Sequence, residues 1–567
     1  MKRRDFLTIV TLTPLINFSL SRQPKEYETE IAIIGGGIGG VACALSALEN
    51  GMKVIITEET KWLGGQFTSQ GVPPDENPWV ETYGSTERYK RFRNLIREHY
   101  RKNYPLKQEY KNTPYLNPGN GNVSRLCHEP KVSALVIDSM LSRYETFPGT
   151  KQASLKILRK HKPIKVVTKS DKIEAICVLD LESQEEIWIK AKYFVDATET
   201  GELLPLGKVE YITGMESQKD TGEPHAPSSP DPKAMQACTW CFAMEYIPDA
   251  DFTIDKPQNY DFWKNFIPEL DPPWPGPLFS FTTTHPVTLS PRTLPFDPDG
   301  ETKSSWWKYR QILDKSLFES SSIKGSITLV NWPQNDYFLG NIIENEDPEK
   351  DKYHQQKAKE LSLCLFYWLQ TDAPRPEGGY GWKGLRLRGD VLGTEDGFAI
   401  TPYIRESRRI KAEFTICEQH IGKEARKELF KGKELITPEF FPDTVGIGYY
   451  RIDLHPRTNG KNYFDVDSLP FQIPLGALLP VRVENLIPAC KNIGTTHITN
   501  GAYRLHQVEW HIGEAVGCLL SYCINSNLTP REIRNNKDKL ELFQKTLLDQ
   551  NIPLHWEEEA LIKYGKV

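Results

Sequence analysis

The run YETEIAIIGGGIGGVACALSALENGMKVIITEE, residues 27–59, constrains the fold more than any other part of the 567-residue chain. Ile31–Ile34 is a short unbroken apolar segment, the pattern of a parallel strand buried on both faces. Gly35, Gly37 and Gly40 follow it as G-x-G-x-x-G. Val41–Glu49 reads as a helix with the small residues Ala42, Ala44 and Ala47 on its packing face. Gly51 ends it, and Val54–Thr57 reads as a second strand. The first glycine makes a tight turn, the second lets backbone approach a pyrophosphate, and the third lets helix pack closely on strand. The phosphates would sit at the positive end of the helix. Glu58, 18 residues past Gly40, can accept hydrogen bonds from a ribose diol and disfavours a 2′-phosphate. The element therefore predicts binding of FAD or NAD rather than NADP.

Context gives this motif its weight. Gly379-Tyr-Gly381-Trp-Lys-Gly384 has the same spacing, but it follows the loop-like QTDAPRPEGG and precedes LRLRGD, which is no helix start. It is expected to be a glycine-rich loop. The chain then lacks a second nucleotide domain, and its electron partner must reach the cofactor by another route.

At this length one simple core is insufficient, so several domains or one elaborated enzyme fold are expected. A net charge of −5 gives no reason to expect nucleic acid or an anionic membrane as partner. The start, MKRRDFLTIVTLTPLINFSL, is basic and then apolar from Phe6 to Leu20, the build of a signal peptide. Arg3-Arg4-Asp5-Phe6-Leu7 resembles the twin-arginine export signal, which carries folded proteins. A periplasmic or extracellular location is expected. No clear A-x-A precedes Glu28, so an uncleaved anchor stays open, but the apolar run is short for a full span and no integral membrane span is expected. Ten cysteines are scattered, with Cys238-Thr-Trp-Cys241 the only C-x-x-C. That is half of a four-ligand metal site with no second half, so no metal is expected; a disulfide, a redox pair or two ordinary thiols remain open.

Several further stretches each resemble a segment of one known family. ETKWLGGQFTSQGV follows the second strand; its paired Gly64 and Gly65, then Gln66, Thr68 and Ser69, resemble the second flavin contact of the FAD enzymes that include glutathione reductase and succinate dehydrogenase. Residues 164–200 read as a β-meander ending in Val195-Asp196-Ala197-Thr198, similar to the strand end that passes beneath the nucleotide in that group. IPLGALLPVRVENLIPACKNIGTTHITNGAYRLHQVEWHIGEAVG resembles the closing segment, with a strand at Leu486–Ala489, a loop containing Gly494, and a helix containing Gly513. Asn117–Pro130, Tyr403–Ile410 and Val445–Pro456 also look typical. The chain from about 28 to about 525 thus resembles the FAD-dependent oxidoreductase family that includes the flavin domain of heterodisulfide reductase A-like proteins, without the iron–sulfur cysteines.

The resemblance implies an α/β fold, a Rossmann-like FAD-binding domain built from both ends of the chain, with an inserted α+β substrate or cap domain. The expected divisions are a signal peptide at 1–24, FAD-binding segments at 28–205 and 471–525, a proline- and tryptophan-rich insertion at 206–470, and a helical tail at 526–567 opening with Thr529 as cap and Pro530 as first residue. FAD is the implied cofactor, contacted by Gly35, Gly37, Gly40, Glu58, Gly64, Gly65, Gln66, Ala197, Thr198, Gly494 and Gly513.

Flavin supplies redox chemistry, so the protein must position a small-molecule substrate and move a proton. His455 in RIDLHP and His506 in RLHQVEW are the acid/base candidates; Asp453 and Arg504 are candidates to orient or bind substrate. Each has a structural alternative: His455 capping a turn, Arg504 pairing with Glu509. Arg405 and Arg408 in RESRR read more readily as an ion-pair network, and Cys127 beside His128 as a buried thiol rather than a flavin linkage. His506 and His511 are five apart, about 140° on a helix, which argues against a shared metal; His497 is expected in the loop before that helix. The expected activity is hydride transfer between a small molecule and flavin, with hydroxyl-bearing compounds among the candidate substrates. The electron partner is O₂, a quinone or a redox protein. Fumarate reductase-like reduction of an activated double bond and a non-catalytic flavoprotein subunit are the alternatives.

Overall fold

A computed structural model describes residues 25–146, 153–298, 300, 302–319 and 323–566. The expected signal peptide therefore lies outside the described residues. Strand β1 (Lys25–Ile34) runs through the turn at Gly35 into helix α1 (Ile38–Glu49), and β2 (Lys53–Glu58) returns parallel to β1. β1 starts earlier than the apolar run at Ile31 because Lys25–Thr29 pair with Ile187–Ala191 of β6. β3 (Ser154–Arg159) adds in parallel to β2. β4 (His161–Lys169), β5 (Lys172–Asp180) and β6 (Glu186–Asp196) form the antiparallel meander, and β6 lies parallel to β1. The order is β3-β2-β1-β6-β5-β4.

Strand alternation explains why β1 is uniformly apolar. Ile31 and Ile33 face one hydrophobic core with α1; Ala32 and Ile34 face another on the opposite side of the sheet. All four are fully buried. Each isoleucine so placed contributes about 1.5–3 kcal/mol relative to exposure.

The closing strand β7 (Leu486–Pro488) uses the same edge of β6 as the meander, at the other end. β5 pairs with residues 186–189 of β6, and β7 with Phe194–Asp196. The C-terminal part of the chain is thus inserted beside the end of β6. Helix α2 (His497–Tyr503) and helix α3 (His506–Ser526) follow. His497 is the first residue of α2, not a loop residue, because Thr496 caps that helix reciprocally with Thr499. α3 packs along α1 and is buried nearly all round.

Residues between these parts build a four-stranded antiparallel sheet from Gln311–Leu313, Ile327–Val330, Phe242–Tyr246 and Leu385–Leu387, with the helix Pro348–Thr371. Trp263, Trp274, Trp306, Trp307, Trp332, Trp368 and Trp382 give this region an aromatic core of its own. Gly379 and Gly381 sit in a turn with positive φ, and the strand after Gly384 joins that sheet, so the second G-x-G-x-x-G is a loop. Among the described residues the helical tail is three helices, Pro530–Arg534, Lys537–Asp549 and Glu558–Gly565; Asn536 caps a new start and breaks the first from the second. Phe543, Leu547 and Ile552 bury it in the main core. Among the described residues, no helix is long and apolar enough to cross a membrane.

Candidate flavin cradle and polar cluster

Three chain segments meet at the C-terminal end of β1. Gly35 turns with φ 93°, and its amide donates to Thr57 Oγ1 at 3.1 Å. The Ala197 amide donates to the Ile34 carbonyl, and Gly37 and Gly40 face Ala197. Gly64 and Gly65 both have positive φ, and the Gly64 amide donates to the Gly36 carbonyl at 2.7 Å, stitching the second glycine motif to the first. Thr198 folds back on Asp196 Oδ1, at 2.7 Å through its hydroxyl, so its side chain is spent on the strand end. A Cβ on Gly65 would run into the Glu199 carboxylate, which reaches into the gap between the two glycine segments, and one on Gly37 would press on the Ala197 carbonyl and that same carboxylate. Buried Lys491 pairs with Glu199 and stands 3.7 Å from Glu509, placing a fixed positive charge beside this gap.

Gly513 and Gly494, expected at the cofactor, are packed against protein backbone. A Cβ on Gly513 would lie 2.1 Å from the Gly39 carbonyl, and one on Gly517 would meet Cys43, so both serve the crossing of α3 over α1 rather than a ligand surface. Gly494 is packed against Ala412 and the Phe414 carbonyl, inside the closing loop.

Glu58 Oε2 accepts from the Gly36 amide at 3.0 Å and Oε1 from the Thr60 amide at 2.8 Å. Burial raises its pKa to about 7, against donors from Thr60 that lower it. Below an unfolded value of 4.5 it is protonated in both states; as pH rises towards 7 the folded chain holds the extra proton and loses stability relative to the unfolded one. Ribose hydroxyls donating to the carboxylate would reverse part of this loss. FAD affinity should therefore gain from Glu58 ionisation between about pH 5.5 and 8, and Glu58→Gln should remove that gain and weaken binding about tenfold. The difference in pH slope between the two proteins, from titration of the apoprotein with FAD, is the readout, because Glu509, also raised to about 7 by burial, titrates in both. Equal slopes would exclude the role.

Beyond Gly65 the same segment leads to a cluster of polar side chains. Gln66 Nε2 donates to the Arg504 carbonyl at 3.0 Å, and the Phe67 ring lies 4.9 Å from the His506 ring. Arg504 ends α2 and His506 begins α3. His506 Nδ1 accepts from the Asp75 amide at 3.1 Å. Burial first, and then Arg310, push its pKa well below the ordinary value, so it stays neutral with one nitrogen engaged. That does not suit a proton acceptor, which works best with a pKa near the operating pH.

His455 is built differently. Its Nδ1 lies 2.6 Å from Asp336 Oδ2, its Nε2 3.6 Å from Asp453 Oδ2, and its side chain is 19% exposed. Asp336 is fixed in turn: Thr239 Oγ1 donates to its Oδ1, and Arg405 Nη2 stands 3.1 Å from that same oxygen. Burial opposes ionisation of Asp336, yet Arg405 and His455 hold its carboxyl below the usual range. Asp453 is likewise held down, against burial, by His455 and Arg504. Asp336 therefore fixes the ring through Nδ1 and turns Nε2 to the Asp453 side.

Arg504 pairs with Asp453 at 3.4 Å and donates to the Tyr403 hydroxyl at 2.8 Å; the expected alternative partner, Glu509, belongs to Lys491. Arg408 is spent on Glu344 and the Thr200 carbonyl, so of the RESRR arginines Arg405 alone reaches the cluster. Asp75, Asp336 and Arg310 carried no sequence signal. Arg310 stands 3.5 Å from Asp75 and lines the same region. His497 binds Glu406 at 2.9 Å, and His511 lies against Gly446, so the three histidines of 496–517 diverge. His128 is engaged by Ser133 and the Leu126 carbonyl, and burial raises the Cys127 thiol to about 12, which keeps it protonated. Cys238 and Cys241 are free thiols.

The glycine cradle, the buried Glu58 and the unpartnered Gln66 Oε1 fit a dinucleotide at this place. A family model described as FAD dependent oxidoreductase matches residues 30–547. No curated protein matches the chain. Among solved structures, a geranylgeranyl bacteriochlorophyll reductase-like protein from Thermoplasma acidophilum is 10% identical over 93% of this chain and 85% of its own, with TM-score 0.33. L-proline dehydrogenase from P. horikoshii is 17% identical over 35% of this chain, with TM-score 0.18, and the match spans only 26% of that protein. The myxobacterial chondrochloren halogenase is 14% identical over 41% of this chain and 46% of its own, with TM-score 0.21. With nearly its whole length accounted for by one family model, the chain belongs to the FAD dependent oxidoreductase family and is an oxidoreductase with FAD as its cofactor.

Proposed function

We propose that this protein is an exported oxidoreductase that oxidises a hydroxyl-bearing small molecule, with His455 as the proton acceptor. The observation that carries the reading is the Asp336–His455 pair, 2.6 Å apart, on a histidine whose side chain is left partly exposed. When bound, FAD supplies the hydride acceptor. Nε2 of His455 takes the hydroxyl proton as the alcohol carbon loses hydride; Asp336 stabilises the imidazolium that results. Asp453 stays ionised beside it and, with Arg504, offers an acceptor and a donor to fix a polyhydroxylated or anionic substrate. Neutral His506 with Asp75 closes the other side of the cluster. Return of electrons to O₂, a quinone or a redox protein belongs to the same proposal, as does export directed by residues 1–24.

Anaerobic mixing of the holoprotein with sugars, other alcohols and amines tests it. Hydroxyl-bearing compounds are expected to bleach the flavin band near about 450 nm, and amines are not. Bleaching by none of the alcohols would overturn the substrate class. A second reading, reduction of an activated double bond, is favoured by one observation: Arg504 is buried with Nε unpartnered, in place to meet an enoate carboxylate. Turnover of enoates by chemically reduced holoprotein, without alcohol oxidation, would select it.

A further inference from the structure

A cavity of about 580 Å³ opens on the tryptophan-rich region, away from the flavin cradle, within the size range of small-molecule sites. Its walls are mixed: Phe262, Phe266, Ile267, Leu270, Phe338 and Leu339 form an apolar side, and Asn265, Glu269 and Thr458 add polar groups. Leu270 and Phe338 belong to the aromatic core, whereas Phe262 and Ile267 are each 55% exposed and Leu339 is 44% exposed. Large apolar side chains exposed together around a concavity are an uncovered contact surface.

Arg457 also lines this cavity and is only 8% exposed. Its Nη2 donates to the Asn462 carbonyl at 2.6 Å, and its Nε has no partner. Other buried arginines of this chain have carboxylates: Arg93 has Glu76 and Glu81, Arg409 has Glu216 and Glu406, Arg405 has Asp336. Arg457 has none within ion-pair distance among the described residues. Glu406, the carboxylate whose field reaches it, is committed to Arg409 and His497. Burial accordingly lowers the pKa of Arg457 to about 10. Glu269, the one carboxylate on the cavity wall among the described residues, is exposed. A buried guanidinium without a counter-charge is costly unless something supplies one.

We infer that this cavity is a ligand site for an organic carboxylate with an apolar body, the carboxylate on Arg457 and the body along Phe266, Phe338 and Leu339. Arg457 lies two residues along the chain from His455, but it donates to the Asn462 carbonyl and pairs with neither Asp336 nor Asp453, so the cavity is distinct from the proposed substrate site. Nothing in the proposed alcohol oxidation requires it.

Sodium decanoate, 1-decanol and decyltrimethylammonium, each below micellar concentration, are the probes, titrated calorimetrically into the holoprotein. Decanoate is expected to bind about tenfold or more tighter than decanol, the value of a charge-assisted hydrogen bond, and the ammonium compound more weakly than either. Arg457→Gln should abolish the preference for decanoate while leaving decanol unchanged. Should that variant not fold, Ile267→Asp and Leu339→Asp, at exposed wall positions, place a repelling charge there and should each weaken decanoate about fivefold. Equal affinity for decanoate and decanol, or a preference that survives Arg457→Gln and both wall substitutions, overturns the inference, and either result leaves the His455 proposal standing.

Discussion

His455→Ala should lower the rate of flavin reduction by its alcohol substrate about 10²–10⁴-fold, the usual contribution of a positioned general base, with FAD content unchanged. Asp336→Asn should lose a comparable amount, for a reason specific to its surroundings. Asp336 Oδ1 is held by donors, Thr239 Oγ1 and Arg405. In the asparagine variant the carbonyl oxygen must stay with those donors, and the amide NH₂ is forced to face His455 Nδ1. An NH₂ there donates to Nδ1 and drives the imidazole proton to Nε2, so the ring presents a hydrogen where it should accept one. The substitution is nearly isosteric, but it leaves buried Arg405 without its carboxylate, so the thermal transition should also fall. His506→Ala is the contrast. Its ring is neutral and packed on Phe67, so its loss should cost stability and some binding, while the pH dependence of flavin reduction keeps its shape. A pH profile altered by His506→Ala and unaltered by His455→Ala would reverse the assignment. Rapid-mixing measurement of the flavin-band decay across pH distinguishes the two.

Gly39→Ala should destabilise the apoprotein by at least about 3 kcal/mol, the upper end of overpacking effects, or prevent its folding. A Cβ there would lie 1.6 Å from the Ala489 carbonyl oxygen and 3.1 Å from that of Glu509. Both obstacles are backbone, so no rotamer change relieves them; β7 or α3 would have to move off α1. Gly36→Ala is the control inside the same motif. Its Cβ would meet Leu63 Cδ2 and Glu58 Oε2, the ends of side chains that can turn aside, and a loss of about 1 kcal/mol is expected. Denaturant unfolding of the two apoproteins measures the difference. Equal losses would mean that the contact between α1 and the closing segment is looser than the structure shows. Gly513→Ala meets the Gly39 carbonyl at 2.1 Å and should resemble Gly39→Ala.

Local and non-local effects divide along the same line. The nucleotide half-fold is legible in the chain alone: strand, glycine turn, helix, strand and Glu58 occupy 33 consecutive residues, and short-range sterics fix their geometry whatever surrounds them. The meander and the closing strand are legible too, as apolar runs that resemble segments of one known family in the same order, and through that resemblance so are the family and the cofactor. Thr529 and Pro530 mark a helix start, because capping is satisfied within one turn.

Nothing along the chain separates His455 from His506, since each is a histidine with an arginine and an acidic residue close by, Arg457 and Asp453 for one, Arg504 and Glu509 for the other. Folding distinguishes them by burying one beside Arg310 and setting the other against Asp336, 119 residues away in sequence. Asp336 sits in a short bridge strand with no periodic pattern, and Asp75 in an irregular segment, so neither offered a local signal. The glycines show the same division. Gly35, Gly37 and Gly40 are legible from spacing, but the tightest position, Gly39, is set by a strand and a helix more than 400 residues further on, which only folding brings against it. Electrostatic partnership and close packing are properties of distance in space, and the chain records those distances only where they are also short along it.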